Sequence, residues 1–525
     1  MAQTKQHEST GRHAVLVSSG ILITRLIGLL RQRIFSRYFG LSYVADAFYG
    51  AFRIPNLLQN LFGEGVLSAS FIPVYSKLLA EGDEEEAGRV AGAVAAILAL
   101  TTAVLVLIGV LAAPVVTDVL VGGFKGATRE LTIRLVRILF PGAGLLVLSA
   151  WCLGMLNSHR KFFLSYTAPV LWNLAMIATL LGFRRMAEES LVVVLAWGSV
   201  AGSALQFAVQ LPVVLRVARH IRVRLKTRDS QVREVVRNFG PVFISRGVVQ
   251  ISGYVDIVLA SYLPQGAVTA ISNAQTLYML PVSLFGMAVS AAELPAMSSA
   301  LGDASQIASS LRRRLNVGLR QIAFFVVPSA MAFLALGGVI AALLLENGRF
   351  RHTDSNYVWS IVAGSSVGLL ASTLGRLYSS TYYALRDTRT PLRFAVIRVA
   401  LTTGLGYLCA LPLPRWIGLD PRWGAAGLTA SAGVAGWVEF TLLRRTLNRR
   451  IGQTGLPASL VAKLWASAAL AAAAGWGVKL ALGNRHPIVF GAVILGTYGV
   501  IYFAAAYFLN VEECTSALRR LTRRG

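Results

Sequence analysis

The chain has 525 residues, 55% of them hydrophobic and 14% charged, with 50 Lys and Arg against 24 Asp and Glu and a formal net charge of +26. Runs such as 90–116, 191–215, 322–345 and 487–509 each supply the roughly 20 apolar residues that cross a hydrocarbon core, which excludes a large soluble multidomain protein. A backbone in lipid must satisfy its own hydrogen bonds, so these runs are helices, and the surplus of positive charge reads as a topology signal and lipid contact rather than affinity for nucleic acid.

About fourteen spans are predicted, at 14–36, 45–78, 89–113, 131–156, 163–183, 191–215, 235–261, 268–299, 316–345, 357–384, 391–411, 423–443, 460–482 and 487–509. The polar start, MAQTKQHESTGRH, leads into a run of spanning length without a small-residue cleavage site, so no cleavable signal peptide is expected. In the first span Arg25 lies about eleven residues in, roughly 16 Å deep at 1.5 Å per residue and near the bilayer centre. Arg31 lies nearer the outer end, where a long side chain reaches the interface more easily. The second span carries ADAFYGAFRIPNLLQNLFGEG, residues 45–65, with Asp46, Arg53, Asn56 and Glu64 set among apolar residues. Asp46 and Arg53 are seven apart and share nearly one helix face. Pro55 frees a backbone carbonyl, which the Asn56 amide is placed to satisfy, a structural role that competes with ligand contact. Next, the acidic run at 81–86, EGDEEE, reads as a solvated loop.

The largest basic cluster, 216–237, separates the sixth and seventh spans; Lys and Arg of the nominally cytoplasmic segments outnumber the external ones about threefold, which puts both termini inside. Arg246 and Asp256 fall in the seventh span, Glu293 in the eighth, Arg376 in the tenth and Arg398 in the eleventh. Cys152, Cys409 and Cys514 have no metal-like spacing and read as structural thiols. An internal echo links LFGEGVLSASFIPVYSKLLAEGD, ending at Asp83, with LFGMAVSAAELPAMSSALGD, ending at Asp303. The offset of about 220 residues maps the second span onto the eighth and divides the chain into an N-lobe (1–220), a C-lobe (221–450) and two added helices with a tail (451–525). Both echoing spans contain Pro and Gly, as interrupted helices lining a transport cavity do.

Ionisable groups inside spans are costly and mark function. Here Arg outnumbers carboxylate, whereas a proton-relay pump would favour Asp, Glu and His. A guanidinium grips phosphate or carboxylate through a planar, bidentate fork, so the pattern points to an anionic substrate. A pyrophosphate with a long lipid tail would need both an arginine cavity and a seam open to the bilayer. The sequence offers no P-loop, no His-Glu-x-x-His and no nucleophile elbow, and therefore no catalytic residues: it reads as a transporter, not an enzyme.

TRLIGLLRQRIFSRYFG followed by ADAFYGAFRIPNLLQNLFGEGVLSASFIPVYS resembles the N-terminal signature of the MurJ (MviN) lipid II flippases of the multidrug/oligosaccharidyl-lipid/polysaccharide exporter superfamily. LNSHRKFFLSYTAPVLWN (156–173), NFGPVFIS (238–245), LPAMS (294–298) and YYALRDTRTPLR (382–393) extend the resemblance through most of the chain. It implies an all-α polytopic fold of about fourteen helices, in two pseudo-symmetric six-helix lobes plus two C-terminal helices, in the bacterial cytoplasmic membrane. It implies movement of lipid II, an undecaprenyl-pyrophosphate-linked precursor of peptidoglycan, from inner to outer leaflet. Arg25 and Arg31 match the family's first-helix arginines, Asp46, Arg53, Asn56 and Glu64 its second-helix pattern, and Arg376 a basic position on the tenth helix. Peptidoglycan-synthesis and division or elongation proteins are the partners it implies.

Departures matter as well. Thr276 stands where the family usually has an eighth-helix arginine, and Gln59 where a second-helix arginine is common. Arg246 and Arg398 are unusual for the family and are expected to restore the lost charge in the substrate cavity. Asp256 and Thr429 fit the family's sodium-site pattern as a weak site, but the eleventh helix lacks its Asn and Asp and Arg398 would repel a cation, so sodium coupling is doubtful and the membrane potential is a plausible energy source. Two further readings stay open: a flippase for another polyprenyl-linked oligosaccharide, and a transport-inactive membrane scaffold or regulatory paralogue.

Overall fold

The computed structural model describes residues 2–62, 66–67, 70–223, 229–298, 303–482 and 487–515. Its named elements are helical, in the order α1 (Ala2–Phe39), α2 (Tyr43–Phe62), α3 (Ile72–Ala80), α4 (Glu84–Leu111), α5 (Ala113–Leu120), α6 (Gly126–Ser158), α7 (Phe162–Gly182), α8 (Glu188–Val217) and α9 (Ser230–Ser261). There follow α10 (Ala267–Pro281), a π-helical segment (Val282–Met287), α11 (Ala288–Ser298), α12 (Ala304–Leu345), α13 (His352–Ala384), α14 (Arg389–Ala410), α15 (Pro412–Trp416), a 3-10 turn (Pro421–Trp423), α16 (Gly424–Ile451), α17 (Ala458–Leu482) and α18 (Pro487–Phe508).

Among the described residues, eleven helices are long and apolar enough to span a membrane. Three more, α1, α2 and α9, have 38, 20 and 32 residues, and so reach the ~30 Å of a hydrocarbon core at 1.5 Å per residue. Of these, α2 is the one whose charges and amides, Asp46, Arg53, Asn56, Gln59 and Asn60, make it too polar to stand out by apolarity. The chain thus reads as a multi-pass membrane protein. The apolar surface is consistent with this: along α4, Leu100, Val104, Leu107, Ile108 and Leu111 are exposed.

The chain forms two compact units, Met1–Ser261 and Tyr262–Gly525. This division places α9 with the first unit, where it packs on α2, α4 and α5, whereas the repeat-based boundary at 220/221 assigns it to the second half. In unit 1, α6 is the central helix and packs on α2, α4 and α8, while α1 lies along α7. One apolar cluster gathers Phe71, Tyr75, Trp151 and Met155; another gathers Phe35, Phe39, Phe48, Leu135 and Leu195. In unit 2, α13 is central between α12 and α16, and α17 pairs with α18 against α12.

Close backbone approach sets the α13–α16 contact. A Cβ on Gly368 would lie 2.4 Å from Gly433 Cα, so only glycine fits where the two backbones touch. In α12, Pro328 cannot donate to the carbonyl of Phe324 four residues back. The Tyr502 hydroxyl on α18 fills that gap, donating to Phe324 O at 2.6 Å.

The internal echo has a structural counterpart in its caps. Asp83 accepts from Glu86 N at 2.9 Å at the start of α4, and Asp303 accepts from Gln306 N at 2.8 Å at the start of α12. The acidic run at 81–86 is therefore not a loop, as expected, but a cap and first helical turn, where the helix dipole favours Glu84, Glu85 and Glu86. A second pair of matching ends lies at the C-termini of α6 and α13. Arg160 and Arg386, 386 − 160 = 226 residues apart, both have φ near +58°. The same three turn bonds close each end, with Lys161 N and Asp387 N donating back to Leu156 O and Tyr382 O.

Of the long second span expected at 45–78, the structure describes α2 to Phe62 and α3, with proline near its start, and residues 63–65 and 68–69 between them lie outside the described residues. Its echo is interrupted. Pro281 ends α10, and the Leu-Phe-Gly of the second copy, residues 284–286, lies inside the π-helical segment. Gly286 sits there against Thr373, whose Cγ2 would be 3.0 Å from an added Cβ.

The motif YYALRDTRTPLR builds a clip outside the spans. Asp387 accepts from Thr390 N at 3.0 Å, from Thr390 Oγ1 at 2.7 Å and from Arg450 Nη1 of α16 at 2.7 Å; Arg450 also lies over the Tyr382 ring. The bonds from Thr390, with the Arg450 charge, hold the Asp387 carboxyl at about 2. A depressed acid contributes stability above its ordinary value near 3.9 and loses it as pH falls toward 2. Asp387→Asn is expected to melt below the parent protein at pH 7, and the gap in Tm is expected to close between about pH 4 and 2. A gap that stays constant across that range would remove the clip's electrostatic role.

Candidate functional site

Unit 1 builds its polar centre from α1, α2, α7 and α9. Arg31 leaves α1 toward α7: its guanidinium lies 4.8 Å over the Trp172 ring, and Nη1 stands 3.6 Å from Met176 Sδ. Phe52 stacks on the same indole at 5.6 Å, and Trp172 Nε1 donates to Ser199 Oγ at 3.1 Å, so both neighbours are fixed in place. Gln32, Phe35, Phe48 and Tyr49 complete a small cavity around Arg31, with the Tyr49 hydroxyl 2.8 Å from Gln32 Oε1. No carboxylate pairs with Arg31 among the described residues. Aromatic faces attract a guanidinium but do not neutralise it.

Arg25 lies one and a half turns earlier and is exposed. Leu22, Ile23, Leu26 and Leu30 beside it are exposed too, so the charge borders an apolar strip. The position suits a ligand that has a charged head and a greasy tail.

On α2, Asp46 is buried, 3% exposed, in the first turn, where the helix dipole stabilises a carboxylate. Arg53 lies two turns on. Its carbonyl accepts from the Tyr254 hydroxyl of α9 at 2.7 Å, and its charge is within electrostatic reach of Asp256 on the same helix. Asn56 and Gln59 do not join Arg31; they line a separate small cavity with Gly142, Ser199 and Ser203 of α6 and α8. Glu64 lies outside the described residues, as does the side chain of Arg246.

Unit 2 gathers charge where α10, α13, α14 and α16 meet. Arg398 Nη1 lies 3.1 Å from Glu439 Oε2. Arg376 of α13 is exposed, in electrostatic reach of Arg398, Glu439 and Tyr278. The Tyr278 hydroxyl is 2.6 Å from Ser372 Oγ. Thr276 turns its hydroxyl back to Ser272 O at 3.0 Å. Thr429 binds the Ile361 carbonyl at 3.0 Å, and it lies in unit 2 while Asp256 lies in unit 1. Glu293, flagged in the eighth span, pairs with Arg314 at 3.5 Å.

Sequence reasoning missed Glu439, although it falls in the expected twelfth span and the rule that flagged Arg398 would have flagged it. It also missed Trp172, Tyr49, Tyr254 and Tyr278, for which no periodicity or spacing gives a signal.

A profile of the family described as "Lipid II flippase MurJ" matches residues 35–498. The lipid II flippase MurJ of Burkholderia cenocepacia is 31% identical over 520 residues, covering 95% of this chain and 98% of that protein. The chain belongs to the lipid II flippase MurJ family. A probable lipid II flippase MurJ of Rhizobium meliloti is 29% identical, over 97% of this chain and 95% of that protein. Among solved structures, a lipid II flippase MurJ in an inward closed conformation superposes with a TM-score of 0.78 at 22% identity, covering 94% of this chain and 98% of that one. An inward-facing multidrug resistance MATE transporter of the MOP superfamily gives 0.63 at 18% identity, over 83% and 98%. These two likenesses establish the fold.

Within this family fold the Arg398–Glu439 pair is electrically neutral, so Arg398 and Glu439 together add no net charge there. Removing one partner of a pair inside spanning helices leaves the other uncompensated. Glu439→Ala and Arg398→Ala are each expected to lower stability in detergent, and the double variant to fall short of their sum by about 1–3 kcal/mol. Strict additivity in thermal or denaturant unfolding would show that the pair carries no coupling.

Proposed function

We propose that this chain is a flippase for lipid II, moving the undecaprenyl-pyrophosphate-linked precursor from the inner to the outer leaflet by alternating access. The observation that carries the reading is Arg31: a half-buried guanidinium in a helix of spanning length, held between aromatic rings, with no carboxylate to neutralise it among the described residues. Such a group has a strong electrostatic demand for an anion, and pyrophosphate meets it with charge-assisted hydrogen bonds. Arg25 extends that demand to the edge of an apolar strip, where the polyprenyl tail has a surface to follow. Arg376 offers an exposed guanidinium in unit 2, with Arg398 released to the ligand only when Glu439 gives it up. Arg53, Asp46, Glu64 and Arg246 complete the proposed polar lining, and Asn56 lies with Gln59 in the separate cavity. The Pro55 region of α2 and the π segment at 282–287 supply the bending points that alternating access requires.

The proposed setting is the bacterial cytoplasmic membrane, with both termini inside. Its product would be presented to the peptidoglycan-polymerising proteins outside. The chain is proposed to use the membrane potential without sodium, because Asp256 lies in reach of the Arg53 charge, which opposes a cation there.

A second reading, another polyprenyl-linked oligosaccharide as cargo, is favoured by one feature. Thr276 spends its hydroxyl on its own helix, and Gln59 lies in a separate cavity, so neither replaces a family arginine as an anion ligand.

Expression in cells depleted of their own lipid II flippase tests the first reading. Growth and outward lipid II labelling are expected to be restored, in sodium or potassium medium alike, and to drop by at least about tenfold in Arg31→Ala, the loss of one charge-assisted contact. Failure to rescue despite normal membrane insertion would move the assignment to the second cargo.

A further inference from the structure

Unit 2 holds a cavity that none of the groups above uses. It lies at the end of the bundle where α12 stops, α13 and α18 begin and α17 finishes. Its wall carries both signs of charge. Glu346 caps the C-terminus of α12, where the helix dipole favours a cation. His352 Nδ1 and Ser355 Oγ lie 3.3 and 3.2 Å from Glu346 Oε2 and aim the carboxylate. Opposite in sign, Lys479 sits in the last turn of α17 with its ammonium 4.2 Å over the Trp476 ring.

The indoles frame the opening. Trp359 and Trp476 donate their Nε1 hydrogens to Leu334 O and Ala335 O, consecutive carbonyls of α12, each at 3.0 Å. Tryptophans with one polar tether and an apolar face are typical of the membrane–water boundary. Gly337 admits Trp359, whose Cδ1 would be 2.5 Å from a Cβ there, and Gly338 lines the cavity itself. Beside it Leu480, Ile488 and Val489 are exposed, 77%, 44% and 58%, and offer apolar surface to acyl chains.

We propose that this cavity holds the headgroup of a zwitterionic aminophospholipid, its ammonium on Glu346 and its phosphate on Lys479. A purely anionic headgroup would suit Lys479 and be repelled by Glu346. A quaternary ammonium cannot donate hydrogen bonds to the carboxylate, and Lys479 already covers the Trp476 face. In the topology proposed above, α12 ends on the outside, so the lipid comes from the outer leaflet. Only that leaflet assignment rests on the proposed function.

The test uses the purified full chain reconstituted in bilayers of equal parts phosphatidylethanolamine, phosphatidylglycerol and phosphatidylcholine, without lipid II, followed by native mass spectrometry of retained lipids. Phosphatidylethanolamine is expected to be retained about tenfold over the other two, the worth of one charge-assisted hydrogen bond. Glu346→Gln and Lys479→Gln are each expected to abolish the preference. Gly338→Leu, which fills the cavity and touches neither charge, should do the same and decides the matter if a charge variant does not fold. Equal retention, a preference for phosphatidylglycerol, or a preference that survives Gly338→Leu overturns the proposal. Displacement of the lipid by millimolar soluble phosphoethanolamine overturns its membrane source. Because no transport is measured, failure of the flippase reading would leave this result unchanged.

Discussion

A positive charge placed in a membrane-spanning helix must be answered by something, and the fold depends on how each of these is answered. Water, a carboxylate, an aromatic face and a ligand are the available answers, and only the carboxylate cancels the charge within the protein. Arg398 has Glu439, Arg314 has Glu293, and Arg53 has Asp256 in electrostatic reach. Among the described residues Arg31 meets rings and a thioether and no carboxylate. The difference separates cations neutralised within the protein from one that keeps its charge.

The same constraint explains the polarity of α2. This helix has spanning length yet carries Asp46, Arg53 and several amides among its apolar residues. Spanning length and polarity together are what a cavity-lining helix requires, since one face meets lipid or core and the other meets water or substrate. Apolarity alone would count α2 out.

Much of this was legible in the sequence. Helix type and the multi-pass character followed from run length, and the echo ending in Gly-Asp has its counterpart in a repeated N-cap, because a cap depends on one side chain and its local backbone. The matching left-handed arginines at 160 and 386 were not legible. Glycine is the usual residue at such a helix end, and an arginine there gives no signal. Nor was the division of labour among the arginines. Depth in a span can be counted from sequence, but whether Arg398 meets Glu439 or Arg31 meets Trp172 depends on the rotation and packing of helices far apart in the chain. The acidic run was misread for a simpler reason: charge density suggested a loop, while the cap geometry of Asp83 starts a helix through it.

A carrier must also let its cargo go. Binding that is favourable enough to admit an anion but too strong to release it would stall transport. In this chain Glu439 neutralises Arg398 within the protein. On the function proposed above, the pair would work by exchange: Glu439 would hold Arg398 while the site is empty, and an incoming pyrophosphate would compete with that carboxylate for the same guanidinium. The competition lowers ground-state affinity, and on release the carboxylate is already in place to take the arginine back. A centre built this way trades tightness for turnover, which suits a lipid carrier whose task is delivery rather than storage.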